Sequence, residues 1–243
     1  MNRVLNPRIV FTSHINNLGL YAFIQKELGN IGRFQYIGNN NIRYIIGDSK
    51  GMQFFINLIH GKIRTPKNKR FNDLIKFINS KYSLNITESL LDISKLINNS
   101  WFTGFTEADG HFGIKYIESK PKSDTRKRSV SESINLKFRL DQRSYNKPTS
   151  SSMEPFMQTL ASFLSCNLNT YTNNLGVEIL SVNVSSIDNI KLLVDYFNKY
   201  PLLGTKSEDY DKWIIVYNMI ITKEHLTEKG RLNIKSILKN NKV

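Results

Sequence analysis

The chain has 243 residues, 40% of them apolar, and carries 34 Lys and Arg against 20 Asp and Glu, a formal charge of +14. That is enough apolar matter for one large core or two modest ones, and the basic excess selects a polyanionic partner, nucleic acid ahead of a membrane surface. No run approaches the ~20 apolar residues that span a bilayer, and a single cysteine, Cys166, excludes an internal disulfide and a cysteine-rich metal site.

In chain order, the first residues lack the apolar core of a secretory signal and the pattern of a transit peptide. Hydrophobic periodicity then predicts a strand over 8–14, a helix over 17–28, a hairpin over 33–47 turning through the 38–41 stretch, and helices over 50–60 and 69–80. Residues 83–97 form a linker whose Leu84, Ile86, Leu90, Leu91, Ile93 and Leu96 predict that it packs on a surface. Beyond it the pattern gives a helix at 98–109 and a strand at 111–118. A basic, Ser-containing stretch over 120–128, read as a mobile loop, separates these from a strand at 133–142. That strand is the clearest in the chain, with Ile134, Leu136, Phe138 and Leu140 alternating with Asn135, Lys137, Arg139 and Asp141. A helix at 153–165, two strands near 167–184 and helices at 187–198, 207–221 and 228–240 complete the pattern. Residues 28–37 parallel 164–172 and residues 61–67 parallel 201–206, an internal similarity that implies pseudo-twofold symmetry. The expected divisions are therefore 1–82, 83–97 and 98–243.

The stretch 101–113 is the most informative. Gly104 and Ala108 lie four apart, so they share a helical face from which bulk is missing and on which a partner helix can approach closely. Asp109 and Gly110 follow, and the glycine is expected to let the chain leave the helix in a conformation other residues resist. An acid delivered at a helix-to-strand junction suits phosphodiester chemistry. Residues 102–110, Phe-Thr-Gly-Phe-Thr-Glu-Ala-Asp-Gly, resemble the LAGLIDADG motif position by position. The resemblance implies an α+β fold of two related halves, each an antiparallel β-sheet saddle backed by helices. The first half begins without its own motif helix and first strand, so the mate of the Gly104 and Ala108 helix is expected from an N-terminal extension or a second chain.

The resemblance further implies an intron-encoded, site-specific DNA endonuclease acting on double-stranded DNA. Its alternatives are a maturase binding group I intron RNA, and a noncatalytic nucleic-acid-binding relative. By the same resemblance Asp109 is the ligand of a divalent metal, Mg²⁺, which prefers hard carboxylate oxygens. Glu107, two residues earlier, points elsewhere and is read as structural. Gln142 is in phase with Phe138 and Leu140, which turns it toward the helices and Asp109. The family uses a Gln at this strand position to order solvent, and His14 is assigned the equivalent place in the first half. Lys206 and Lys67 each precede a helix in corresponding positions, and the family carries such a lysine in its site, where a cation stabilises transition-state charge. Asn135, Lys137 and Arg139, with Lys115 on the neighbouring strand, are candidates for base or phosphate contacts in a major groove, and Arg126, Lys127 and Arg128 for backbone contacts. The wealth of Asn, Ile, Lys, Tyr and Phe suits an AT-rich organelle genome, with a mitochondrial location implied.

Overall fold

The computed structural model describes residues 6–239. Its contacts divide the chain into two units. One comprises the residues up to Lys95 together with Ser144–Phe156, the other Leu96–Arg143 with the residues from Met157 onward.

The first unit runs β1 (Ile9–His14), α1 (Leu18–Glu27), β2 (Arg33–Ile37), β3 (Asn41–Ile46), α2 (Ser49–Ile59) and α3 (Lys67–Tyr82). Its strands pair antiparallel in the order β1-β3-β2. Asp48 starts α2 by accepting the Gly51 amide at 2.7 Å, which satisfies one of the donors a helix leaves open at its first turn. Tyr44, Ile46, Met52, Ile56, Ile75 and Ile78 form the centre of the core. The connector is fastened to α3 by polar contacts: the Asn79 amide exchanges two hydrogen bonds with the backbone of Ile86, and Asn72 does the same with Ser89. Two side-chain amides thus take the part of a neighbouring strand and satisfy backbone groups that would otherwise need water. Residues 144–156 contribute the short β6 (Tyr145–Asn146) and β7 (Ser151–Ser152) hairpin to this unit.

The second unit contains α4 (Trp101–Asp109), β4 (Gly110–Ile117), β5 (Ser133–Arg143), β8 (Leu168–Thr172), β9 (Glu178–Val184), α6 (Ile187–Lys199), α7 (Thr205–Ile221) and α8 (Glu228–Lys239). It also takes up most of α5 (Glu154–Phe163). The sheet is antiparallel in the order β4-β5-β9-β8. Leu136, Phe138 and Leu140 are buried on one face, as the alternation of β5 predicts, and helices cover that face. Phe102 is fully enclosed, edge-on to Phe138, Phe163 and Tyr196 and stacked on Phe197. Two polar ties join α4 to α6: the Thr103 hydroxyl donates to the Tyr200 carbonyl at 2.7 Å and the Tyr196 hydroxyl to the Asn99 carbonyl at 2.7 Å.

Two local expectations are corrected. Gly110 has φ −74° and ψ 151°, ordinary extended backbone, so no left-handed turn is needed after Asp109. The glycine is required by proximity instead, because a Cβ there would stand 2.5 Å from the Thr106 methyl and 2.8 Å from the Thr106 carbonyl oxygen. The basic stretch expected as a mobile loop is also paired. Lys120 and Val130 exchange both backbone hydrogen bonds, and so do Ser123 and Arg126. The β4–β5 hairpin is thereby extended into a basic arm.

These environments predict opposite outcomes for two glycines of one strand. Gly110→Ala should cost about 1–3 kcal/mol, because the clash is with backbone that cannot yield. Gly113→Ala, whose Cβ would meet nothing nearer than the Lys137 carbonyl at 3.5 Å, should be tolerated. Chemical denaturation of both variants checks this, and equal stabilities would contradict it.

Candidate active site and nucleic-acid interface

Asp109 is the last residue of α4, and its carboxylate is exposed with no side-chain partner among the described residues. It opens into a concavity of about 260 Å³ lined by Asp109, His111, Arg139 and Asp141. His111 stands directly across the ladder from Arg139, and Asp141 is one step further along the same face of β5. The arginine is tied sideways to its neighbour. Its Nε donates to Asp141 Oδ1 at 2.9 Å and its Nη2 lies 2.7 Å from Oδ2. Tyr171, from β8, accepts from Arg139 Nη2 at 2.8 Å and donates to Asp141 Oδ2 at 3.0 Å. Partial burial alone would raise the Asp141 carboxyl, but hydrogen bonds from Arg139, Ser181 and Tyr171 outweigh it and hold the group below the usual carboxylate range.

Gln142 is not part of this concavity. It is half-buried opposite Leu180 and shares the phase of Phe138 and Leu140, which is the core side, whereas Asp109 opens onto the other side. The expected phase holds, and the acid lies across the sheet from it. His14 is corrected as well. Asp48 caps α2 and Ser186 caps α6 in the same way, which aligns Ile46 with Val184. The strand registers then align Ile9 with Phe138, so Ser13, not His14, matches Gln142. His14 ends β1 exposed, its Nδ1 accepting the Asn16 amide at 3.3 Å. Lys206 lies in the first turn of α7, 3.7 Å from Asp209, and Lys67 is the exposed first residue of α3. Neither lines the Asp109 concavity.

Glu107 has the structural role expected of it. Its Oε1 accepts the backbone amide of Gly204 at 2.8 Å and that of Leu203, so a carboxylate on α4 closes the N-terminus of α7. Negative charge is favourable there because the first amides of a helix point outward unpaired. Gly104 and Ala108 are exposed, and nothing lies within 4 Å of a Cβ built on Gly104.

The outward face of the second sheet carries the polar residues. Lys115 pairs across the ladder with Asn135, and Lys137 with Gly113; all three polar side chains are exposed. Beyond them the arm holds Lys127 and Arg128 exposed, while Arg126 is half-buried and donates to the Pro121 carbonyl at 3.1 Å. The base of the arm is braced against α8: Lys235 lies 2.8 Å from Glu118, Arg231 lies 3.4 Å from Glu132, and Glu132 accepts the Tyr116 hydroxyl. Sequence reading missed a comparable row on the first sheet, where Arg43 sits between Thr12 and Gln35 with all three exposed. The alternation of Asn41 and Arg43 with buried Ile42 and Tyr44 was its available signal. Cys166 is half-buried, and burial pushes its thiol up, away from reactivity. No described helix is long and apolar enough to cross a membrane.

Two outcomes follow from these contacts. Glu107→Ala should destabilise the fold by about 1–2 kcal/mol through loss of the α7 closure, measured by denaturant titration; an unchanged midpoint would remove the role. Asp141, with its folded value depressed, contributes stability that is complete above its unfolded value of about 3.9 and is lost as pH falls through the depressed value. The stability gap between the protein and its Asp141→Asn variant should therefore narrow as pH drops below that range. A gap independent of pH would refute the coupling.

Residues 102–217 match the sequence model described as LAGLIDADG endonuclease. Among curated proteins, the chain is 29% identical over 238 residues to an uncharacterized cox1 intron-2 protein of Schizosaccharomyces pombe, covering 94% of this chain and 65% of that one. It is 28% identical over 232 residues to the intron-encoded DNA endonuclease aI3 of Saccharomyces cerevisiae, covering 85% and 55%. A probable intron-encoded DNA endonuclease, aI1 of Mycosarcoma maydis, is 30% identical over 115 residues, which are 46% of this chain and 94% of that protein. The chain thus spans just under two thirds, and just over half, of the lengths of the first two relatives. The fold matches the LAGLIDADG homing endonuclease I-GzeII, solved in complex with its DNA target, at a TM-score of 0.71 with 18% identity, over 98% of this chain and 89% of that one. The motif that ends in Asp109, the fold around it and a relative matched over nearly its whole length agree: the chain belongs to the LAGLIDADG endonuclease family.

Proposed function

We propose that the protein is an intron-encoded, site-specific DNA endonuclease that hydrolyses phosphodiester bonds with the help of a divalent cation. The observation that carries this reading is the exposed, unpaired Asp109 carboxylate at the end of the motif helix, opening toward the polar face of a sheet. Relatives whose names describe intron-encoded DNA endonucleases support it, and a further relative named only as a cox1 intron protein supports a mitochondrial setting.

Among the described residues no group of three His, Cys, Asp or Glu side chains is arranged to hold a metal. A lone carboxylate suits Mg²⁺, which keeps several waters and binds through one or two carboxylates plus substrate phosphate oxygens. When bound, such an ion supplies charge neutralisation at the phosphoryl oxygens and a more acidic water. Asp109 is the ligand this chain would contribute. The protein's other residues bind and orient the polyanion. Lys115, Asn135 and Lys137 present donors from a β-ribbon that fits a major groove, Lys127 and Arg128 extend along the backbone, and Arg43 with Gln35 does the same service on the first sheet. The two halves of the fold are in this reading the two repeats of one ancestral unit.

Asp109→Asn should lower divalent-dependent cleavage by at least about a hundredfold while leaving duplex affinity nearly unchanged, because the sheet and arm carry the binding. Lys137→Ala should weaken binding and flatten its salt dependence, since a cation that no longer meets a phosphate lowers the slope by about 0.9. The assay is a supercoiled plasmid bearing the uninterrupted intron insertion site, scored for nicked and linear products, alongside salt titrations of binding. Cleavage that survives Asp109→Asn overturns the assignment, and tighter binding to the intron RNA than to the duplex would favour a splicing role instead.

A further inference from the structure

A guanidinium and an unpaired carboxylate line the same small concavity, yet Arg139 does not pair with Asp109. Its Nε and Nη2 are taken by both oxygens of Asp141 and by the Tyr171 hydroxyl, and the Tyr171 ring lies 5.3 Å from the guanidinium carbon. The same tyrosine hydroxyl donates to Asp141, so three side chains close a ring of hydrogen bonds that reaches from β8 across β9 to β5. Ser181 stands directly opposite Asp141 on β9, and its hydroxyl helps to hold that carboxyl below the usual carboxylate range. Both oxygens of Asp141 are thereby engaged, and Arg139 Nη1 is the one guanidinium nitrogen without a partner among the described residues.

We infer that Asp141 and Tyr171 are positioning residues that hold Arg139 off Asp109 and so keep the Asp109 carboxylate available to a divalent cation. The inference rests on the reading of Asp109 as a metal ligand. A fixed ion pair at short range outcompetes a solvated monodentate one, because the bidentate geometry and the third hydrogen bond are lost when the arginine turns away. Released, Arg139 would meet the one carboxylate of the concavity with no partner and occupy the oxygens a cation needs. Held, it turns only Nη1 outward, where a single nitrogen can meet a phosphate oxygen. The paired-donor fork used to read a guanine edge needs Nη2, which is already committed.

The test is a double-mutant cycle on the full chain with Mn²⁺ alone as probe, read from paramagnetic broadening of the Gly110 and His111 amide signals. Asp141→Asn should weaken Mn²⁺ binding markedly when Arg139 is present. In an Arg139→Gln background the same change should cost at least about threefold less, the remainder being the lost negative charge acting at a distance. Tyr171→Phe alters no charge and should weaken binding only while Arg139 is present. Equal effects in both backgrounds would mean that Asp141 and Tyr171 act through charge or fold alone, and would overturn the proposal. Failure of the underlying reading looks different: broadening in the unaltered protein that Asp109→Asn leaves untouched, or no broadening at all, removes Asp109 as the ligand and the proposal with it.

Discussion

Burial of Phe102 is the constraint on which the second unit depends. With its ring enclosed by Phe138, Phe163, Tyr196 and Phe197, the inner face of α4 is fixed, and Thr106, one turn further on, is buried on the same side. Apolar rings stacked and edge-on at this density leave the helix no freedom to rotate. Asp109 is then placed by helix length, and the absence of a Cβ at Gly110 lets β4 leave directly over Thr106. Glu107 adds a second fastening by closing α7, so the motif's two acids divide the labour: one holds the scaffold and the other is left open.

The face of β5 that looks away from this core follows from the same period of two. Once Leu136, Phe138 and Leu140 are inside, Asn135, Lys137, Arg139 and Asp141 are outside. They are not equivalent there. Lys137, like Lys115 on β4, is solvated and has no ion pair among the described residues, so its charge is free to act on a phosphate, with the salt sensitivity of an exposed cation. Arg139 is locally neutralised by Asp141 and contributes direction in place of net charge. A strand whose sequence offers a uniform polar series thus divides into residues that attract and a pair whose orientation is fixed.

The elements were legible because each is a hydrophobic period with a clear stop; β5, predicted over 133–142, spans Ser133–Arg143, and α6, predicted over 187–198, spans Ile187–Lys199. What escaped depends on contacts between distant positions. The clasp from Glu107 to Gly204 joins residues 97 apart, and that from Arg139 to Tyr171 joins residues 32 apart. The basic arm escaped for the same reason. Its composition is that of a loop, but it continues the β4–β5 register as far as Lys120 and Val130, and its base is braced by α8. Gln142 failed differently: alternation gives a residue's side, and only the path of the chain through Gly110 shows which side the acid uses.

The registers also let the two sheets be compared position by position. With Asp48 aligned to Ser186, the positions of Arg139, Asp141, Ser181 and Tyr171 fall in the first unit on Val10, Thr12, Arg43 and Ile37. The carboxylate, the tyrosine and the strand-borne arginine are all replaced, and the remaining cation, Arg43, sits on the central strand between Thr12 and Gln35, neither of which neutralises it. An arginine so placed keeps its whole guanidinium edge for a ligand, including the paired donors that read a base. Equivalent strands thus present an arginine in two ways, committed beside the acid in the second unit and uncommitted in the first, and the difference comes from which side chains occupy these four positions and not from the backbone that carries them.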